Sequence, residues 1–243
     1  MDANEVDVFE SLIRKLERLN PLDEQDRAAL RALPFKIVTD AAGSYLVRDG
    51  DAVTQCCLLL HGYACRNKMT SSGGRQIVSF HMAGDLLDVQ HLLLPRADHN
   101  LQAITEVVTA CIPIEALKAV VAVRPAVAEA LWRDSLIDAS VFREWVLNVG
   151  RRDAKSRIAH MLCEFAARCQ AAGLGSAEGF DVPITQEQIA DATGLTAVHV
   201  NRMLRELSED GVISRKGRRI SIVDWPGMQQ VADFSRDYLH EAA

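Results

Sequence analysis

The residues best placed to do chemistry lie between Pro183 and Ile222, in PITQEQIADATGLTAVHVNRMLRELSEDGVISRKGRRISI. Thr185 followed three residues later by Gln188 has the form of a capping box, which starts a helix at Gln186. Ile189 and Ala190 then face inward, and Gly194 can take the left-handed conformation that turns a chain sharply between two helices. Thr196 can cap a second helix, in which Val200, Met203, Leu204 and Leu207 recur at helical spacing. The opposite face then carries Ala197, Val198, Asn201, Arg202 and Arg205, with His199 nearby. Arginine and asparagine hydrogen-bond base edges, and alanine or valine can touch a thymine methyl. The chemistry implied is non-covalent reading of a duplex groove by a helix-turn-helix.

After Gly211 two short apolar runs, VIS and ISI, are joined by Arg215, Lys216, Gly217, Arg218 and Arg219. A two-stranded wing with four cations at its tip would lie against phosphates, which supply affinity without sequence information. Arg215, Lys216, Arg218 and Arg219 are therefore expected phosphate contacts, with Thr185, Gln186, Thr196 and Arg205 from the two helices.

Other chemistries find little support. There is no G-x-S-x-G, P-loop, H-E-x-x-H or dinucleotide fingerprint, so no catalytic residues are expected and an enzyme is not. Cys56, Cys57, Cys65, Cys111, Cys163 and Cys169 are scattered without C-x-x-C or zinc-type spacing, which suggests buried free thiols. Cys56 and Cys57 are adjacent on an expected strand, point to opposite faces and make a poor disulfide pair. His61, His81, His91 and His99 show no ligand spacing, so neither a metal nor a cofactor is expected.

The elements that must position these residues can be followed from the start. Val8 to Leu19 has helical apolar spacing, stopped by Asn20 and Pro21, and Asp23 to Leu33 is a second short helix. From Phe35 to Ile114 come seven runs with strand character: FKIVT, SYLVR, CCLLL, YACRNK, RQIVSFH, LQAIT and VVTACIPI. Turn signals such as AAG, RDGD, HG, SSGG and AGD separate them, which implies an antiparallel sandwich or roll. Glu115 to Val123 is a short helix, Pro125 to Gly150 a long one, and Arg157 to Ala172 another. In the long helix Val127, Leu131, Val141, Trp145 and Val149 form a stripe that is either core or a dimer seam, since periodicity cannot name its partner. Trp225 to Ala243 is expected to be helical, with Met228, Val231, Phe234 and Leu239 on one side.

At 243 residues the chain has room for two modest domains. The net charge of −6 hides an uneven distribution. Residues 151–222 carry 11 Lys and Arg against 9 Asp and Glu, whereas residues 1–150 carry 15 against 20. One basic module on an acidic body suits a local contact with DNA. The longest apolar runs, such as Cys56 to Leu60, are far short of the roughly 20 residues a membrane helix needs. The acidic start, MDANEVDVFE, is unlike a signal peptide, so a cytoplasmic location without membrane contact is expected.

The segment ITQEQIADATGLTAVHVNRMLREL, with the following DGVIS, resembles the DNA-binding domain of the Crp/Fnr family of bacterial transcription regulators. RDGD, LLLHGYA, GRQIVSFHMAGDLL and TACIPIEAL are similar, in order, to the family's effector domain, so that the likeness covers nearly the whole chain. The resemblance implies an α+β protein: N-terminal helices over 1–34, a double-stranded β-roll of the cyclic-nucleotide-binding kind over 35–123, and a dimerisation helix over 124–150. A winged helix-turn-helix over 151–224 and a C-terminal helix over 225–243 complete it. It makes the stripe from Val127 to Val149 a dimer seam, the operator an inverted repeat of double-stranded DNA, RNA polymerase a partner, and Arg202 a reader of guanine.

In nucleotide-binding members a glycine–glutamate pair is followed by an arginine beside a serine or threonine that holds the phosphate. Here Gly84 and Asp85 match the first pair loosely, but Ala97 and Asp98 stand where the arginine and hydroxyl belong. Asp98 would repel a phosphate unless Arg96 compensates, so the implied effector is not cyclic AMP. An iron–sulfur cluster is not implied either, because the amino-terminal cysteine cluster of the oxygen-sensing members is missing. Alternatives are a cyclic-nucleotide- or redox-responsive regulator and a nucleotide-binding regulatory subunit of an enzyme. At the recognition helix, the arginine and glutamate often found near its start in the family are replaced by Ala197 and Val198, so family operators do not carry over whole.

Overall fold

The computed structural model describes residues 8–175, 182–216 and 219–240, the side chain of Arg219 excepted. Its backbone groups into two compact units, one holding residues up to Ala64 with His81–Asp138, the other Cys65–Phe80 with Ala139 onward. Among the described residues no helix is long and apolar enough to cross a membrane.

In the first unit, helix α1 (Glu10–Leu19) buries Leu12, Ile13 and Leu16 on one side. Helix α2 (Glu24–Arg31) is started by Asp23, whose carboxylate accepts from the Asp26 N–H while the Asp26 carboxylate accepts from the Asp23 N–H. Such a cap is worth about 1 kcal/mol. Eight strands follow in chain order, of which β4 and β5 lie mostly in the second unit: β1 (Lys36–Asp40), β2 (Tyr45–Val47), β3 (Gln55–His61), β4 (Tyr63–Met69), β5 (Arg75–Met82), β6 (Leu86–Leu87), β7 (Asn100–Ala103) and β8 (Val107–Pro113). They form two four-stranded sheets, ordered β1-β8-β3-β6 and β2-β7-β4-β5, with β1 and β3 antiparallel to β8. All seven expected strands are present. The two-residue β6 and a 3-10 turn at Val89–Leu92 are additions, too short to show a period. Helices α3 (Ile114–Val123) and α4 (Pro125–Arg151) close the roll. Leu58, Leu86 and Ile112 of one sheet pack with Leu12 and Leu16 of α1, Leu117 of α3, and Val127 and Leu131 of α4. Each such side chain contributes about 1.5–3 kcal/mol.

Lys15 of α1 lies 3.0 Å from Asp85 and 2.9 Å from Asp134. Burial alone would favour the neutral amine, but Asp134, Asp85 and Asp138 outweigh it and hold the Lys15 pKa above its ordinary value. The cluster joins α1, the turn after β5 and α4.

Two expectations need correction. The α4 stripe expected to form a dimer seam is core of this same chain: Val127 is 0% exposed, Leu131 4%, Val141 5% and Trp145 7%, and Val149 is half-buried. A side chain already covered by its own chain has no area left for a partner. The exposed apolar residues of α4 are instead Trp132 (69%), Leu136 (56%), Val146 (71%) and Leu147 (44%), whose spacing returns to the other side of the helix. The six cysteines were also expected to be free. Cys56, Cys65, Cys163 and Cys169 are free and buried, but Cys57 and Cys111 face each other across β3 and β8 and are disulfide-bonded. Cross-strand register, invisible in the spacing of 54 residues, brings their Cα atoms to 4.1 Å.

In the second unit, helix α5 (Ala154–Ala171) is capped by Asp153, which accepts from the Lys155 and Ser156 N–H groups. Nearly every side of it is buried. Helices α6 (Gln186–Thr193) and α7 (Ala197–Glu209), strands β9 (Ile213–Lys216) and β10 (Arg219–Ile222), and helix α8 (Trp225–Ala232) follow. Trp145 donates to the buried carboxylate of Glu164 at 3.0 Å, and the Tyr238 hydroxyl donates to it at 2.8 Å. Burial raises the Glu164 pKa, against the pull of Arg168 and these two donors. Among the described residues the C-terminal segment is α-helical only to Ala232: Asp233 adopts φ 48°, and a 3-10 turn follows at Asp237–Leu239, while residues 241–243 of the expected helix lie outside the described residues. Met228, Phe234 and Leu239 are buried as expected, and Val231 is half-buried.

Candidate DNA interface

Helix α6 begins with the reciprocal cap expected from sequence. Gln188 N–H donates to Thr185 Oγ1 at 3.2 Å, and Thr185 N–H donates to Gln188 Oε1 at 2.8 Å. The Thr185 hydroxyl accepts in this bond and keeps its proton for another acceptor. Gly194 takes φ 66°, and its N–H closes the helix on Ala190 O. The turn is held from below by Arg157, whose Nη1 donates to Thr193 O at 2.9 Å. On the β5 side, Arg75 Nε donates to Asp191 Oδ2 at 2.7 Å and Gln76 Nε2 donates to Ala192 O at 3.0 Å.

Thr196 caps α7 by accepting from the His199 N–H at 3.3 Å. Val200, Met203, Leu204 and Leu207 are buried, which turns the remaining face outward. There Gln186, Ala197, Val198, Asn201, Arg202 and Arg205 line one open concavity. Val198 is 83% exposed, an apolar side chain that its own fold does not use. Arg202 is held in place, with Nη2 2.9 Å from His199 Nε2 and Nε 4.0 Å from Glu206. Arg205 pairs with Glu209 at 3.2 Å. The wing pairs Ile213 with Ile222 and Lys216 with Arg219, so that Arg215 and Lys216 run toward its tip. Arg218 and the Arg219 side chain lie outside the described residues.

Residues 156–231 match the model of the Crp-like helix-turn-helix domain, and residues 38–124 match that of the cyclic nucleotide-binding domain. The transcriptional activator protein FnrL of Cereibacter sphaeroides is 30% identical over 204 residues, covering 83% of this chain and 81% of that protein. The chain belongs to the Crp/Fnr family of transcription regulators. Another similar member is the transcriptional activator protein anr of Pseudomonas aeruginosa, 25% identical over 84% of this chain and 81% of that protein. Among solved structures, FixK2 from Bradyrhizobium japonicum shares the fold with a TM-score of 0.76 at 22% identity, over 84% of this chain and 100% of that one. FnrL and Anr are named as transcriptional activators, and the helix-turn-helix of this Crp/Fnr member is a DNA-binding domain.

The expected effector residues of the regulator are not brought together. Asp85 is buried, with Oδ1 on Lys15 Nζ at 3.0 Å, Oδ2 accepting from the Met82 N–H at 3.1 Å and lying 3.6 Å from His81. Arg96 is exposed and donates to Gly50 O at 2.9 Å. Gly84 takes φ 97° in the turn before Asp85. Asp98 is exposed and accepts from His99 Nδ1 at 2.7 Å. Sequence reasoning set His91 and His99 aside for want of ligand spacing and missed Asp88, yet the roll gathers the three into one buried cluster. The only signal was D-x-x-H followed eight residues later by a second His, a spacing with no familiar motif behind it.

Proposed function

We propose that this Crp/Fnr regulator acts as a homodimer that reads an inverted-repeat operator through α7. The observation that carries the reading is the shared exposure of Val198, Asn201 and Arg202 on the outer face of that helix, with Gln186 beside them. Arg202 pairs with guanine O6 and N7, Asn201 addresses adenine, and Val198 or Ala197 meets a thymine methyl. Thr185, Gln186, Thr196, Arg205, Arg215 and Lys216 contact phosphates, as do Arg218 and Arg219. His199 orients Arg202. The dimer forms along the exposed side of α4, through Trp132, Leu136, Val146 and Leu147. Two recognition helices then lie about 34 Å apart, one helical turn of DNA. The effector is not cyclic AMP, since Asp85 is engaged by Lys15 rather than held open for a ligand, and not an iron–sulfur cluster, since the cysteines are scattered rather than clustered. The names of FnrL and Anr support activation; recruitment of RNA polymerase, in the cytoplasm, is the route proposed for it.

The test is selection of bound sequences from a random duplex pool. An enriched inverted repeat, with a guanine at the same place in each half, is the expected result. Enrichment of a single unrepeated site would overturn the dimeric reading, and no enrichment would overturn specific binding.

A further inference from the structure

The β-roll contains a group of side chains that DNA reading does not use. Asp88, His91 and His99 are 3%, 4% and 4% exposed, and their ligand atoms lie within 4.8 Å of one another. Asp88 precedes the 3-10 turn Val89–Leu92 that carries His91, and His99 immediately precedes β7, so a short turn and a strand entrance converge.

The hydrogen bonds around the two imidazoles select their free nitrogens. His91 Nδ1 is 3.0 Å from Leu94 O, a carbonyl that can only accept, so that nitrogen carries the proton and Nε2 carries a lone pair. His91 Nε2 is buried and has no hydrogen-bond partner among the described residues. His99 Nδ1 is 2.7 Å from the carboxylate of Asp98, which fixes a proton there too. His99 Nε2 then faces Asp88 Oδ1 at 2.9 Å. A lone pair and a carboxylate at that separation repel unless a cation, proton or metal ion, is shared between them. Gln90 Nε2 also donates to Asp88 Oδ1, at 3.1 Å, and orients the carboxylate.

We infer that Asp88, His91 and His99 form a binding site for a divalent first-row transition-metal ion. Both imidazoles give the outer N–H to a carbonyl or carboxylate, the arrangement that orients metal-binding histidines and makes them better donors. Two imidazoles with one carboxylate suit zinc or ferrous iron, leaving a position for water or a small ligand. Bonds of about 2.1 Å place tetrahedral ligands about 3.3 Å apart, so the widest pair must close by at most roughly 1.5 Å. The site involves no residue of α6, α7 or the wing, and it stands or falls apart from the reading of DNA.

The experiment titrates the full-length protein, stripped with a chelator and dialysed, with Co2+ and separately with Zn2+. The expected result is one Co2+ per chain with visible ligand-field absorption that Zn2+ abolishes. His91→Gln and His99→Gln should each weaken binding at least about tenfold, whereas His61→Gln, an exposed histidine of β3, should leave it unchanged. Equal Co2+ binding by parent and both variants, or no binding by the parent at about 100 μM metal, would overturn the site. Where a variant loses its far-ultraviolet circular dichroism, X-ray absorption of the zinc-loaded parent decides: two imidazole ligands are expected, and fewer than two rejects the assignment.

Discussion

A base-reading arginine gains most when its fork is oriented before the duplex arrives. In the proposed reading His199 and Glu206 supply that orientation to Arg202, at 2.9 and 4.0 Å. Arg202→Ala should cost about 1–3 kcal/mol in operator binding and flatten the preference at one position of each half-site. Fluorescence anisotropy with the parent operator and with that base pair exchanged measures both effects. Lys216→Gln should instead weaken all sequences alike and lower the slope of log K against log salt by about 1. His160, fully buried against Phe234 and Tyr238, tells a different story at this scale. Burial first, then Arg152, lowers its pKa to about 3. The unfolded chain, with His near 6.5, therefore binds the extra proton between those values. Its contribution is complete above pH 6.5 and falls by about 1.4 kcal/mol per pH unit down to about 3. Glu164 runs the other way, because burial raises its pKa. The comparison to make is therefore parent against His160→Gln: urea melts from pH 7.5 to 5 should show a shallower acid loss in the variant.

Among the elements, α4 carries core on one side and the proposed dimer surface on the other. Trp145→Ala should destabilise the folded chain by about 3–5 kcal/mol, since it empties core volume and removes a donor from buried Glu164. Trp132→Ala should leave single-chain stability nearly unchanged yet shift sedimentation toward monomer and weaken operator binding. The reverse pattern would restore the seam to the Trp145 side. This is also where sequence was least legible. A 27-residue helix with apolar residues on two sides does not say which side faces inward. The helix-turn-helix was legible almost to the residue, because Thr185, Gln188, Gly194 and Thr196 act on their own neighbours in the chain. β6, the Cys57–Cys111 pair and the Asp88–His91–His99 cluster were not, because each exists only once strands have registered. The C-terminal helix was overextended for a related reason: the apolar spacing persists through Leu239, but the backbone reverses at Asp233 and reuses Phe234 and Leu239 in a turn.

For the molecule as a whole, a net charge of −6 means that DNA is approached through a local basic surface on a chain it would otherwise repel. Binding should accordingly fall steeply with salt, and a half-site duplex should bind far more weakly than the full repeat. The Lys15 cluster bears on where the chain can be cut. A fragment trimmed to begin at residue 38, where the likeness to the cyclic nucleotide-binding domain starts, would discard the ammonium that neutralises Asp85 and Asp134. It would also strip Leu12, Ile13 and Leu16 from Leu58 and Ile112. Such a fragment should express as aggregate, while one beginning at residue 8 should stay dispersed, as size-exclusion chromatography would show. The opening helices are thus a plug without which the β-roll leaks water onto stranded anions.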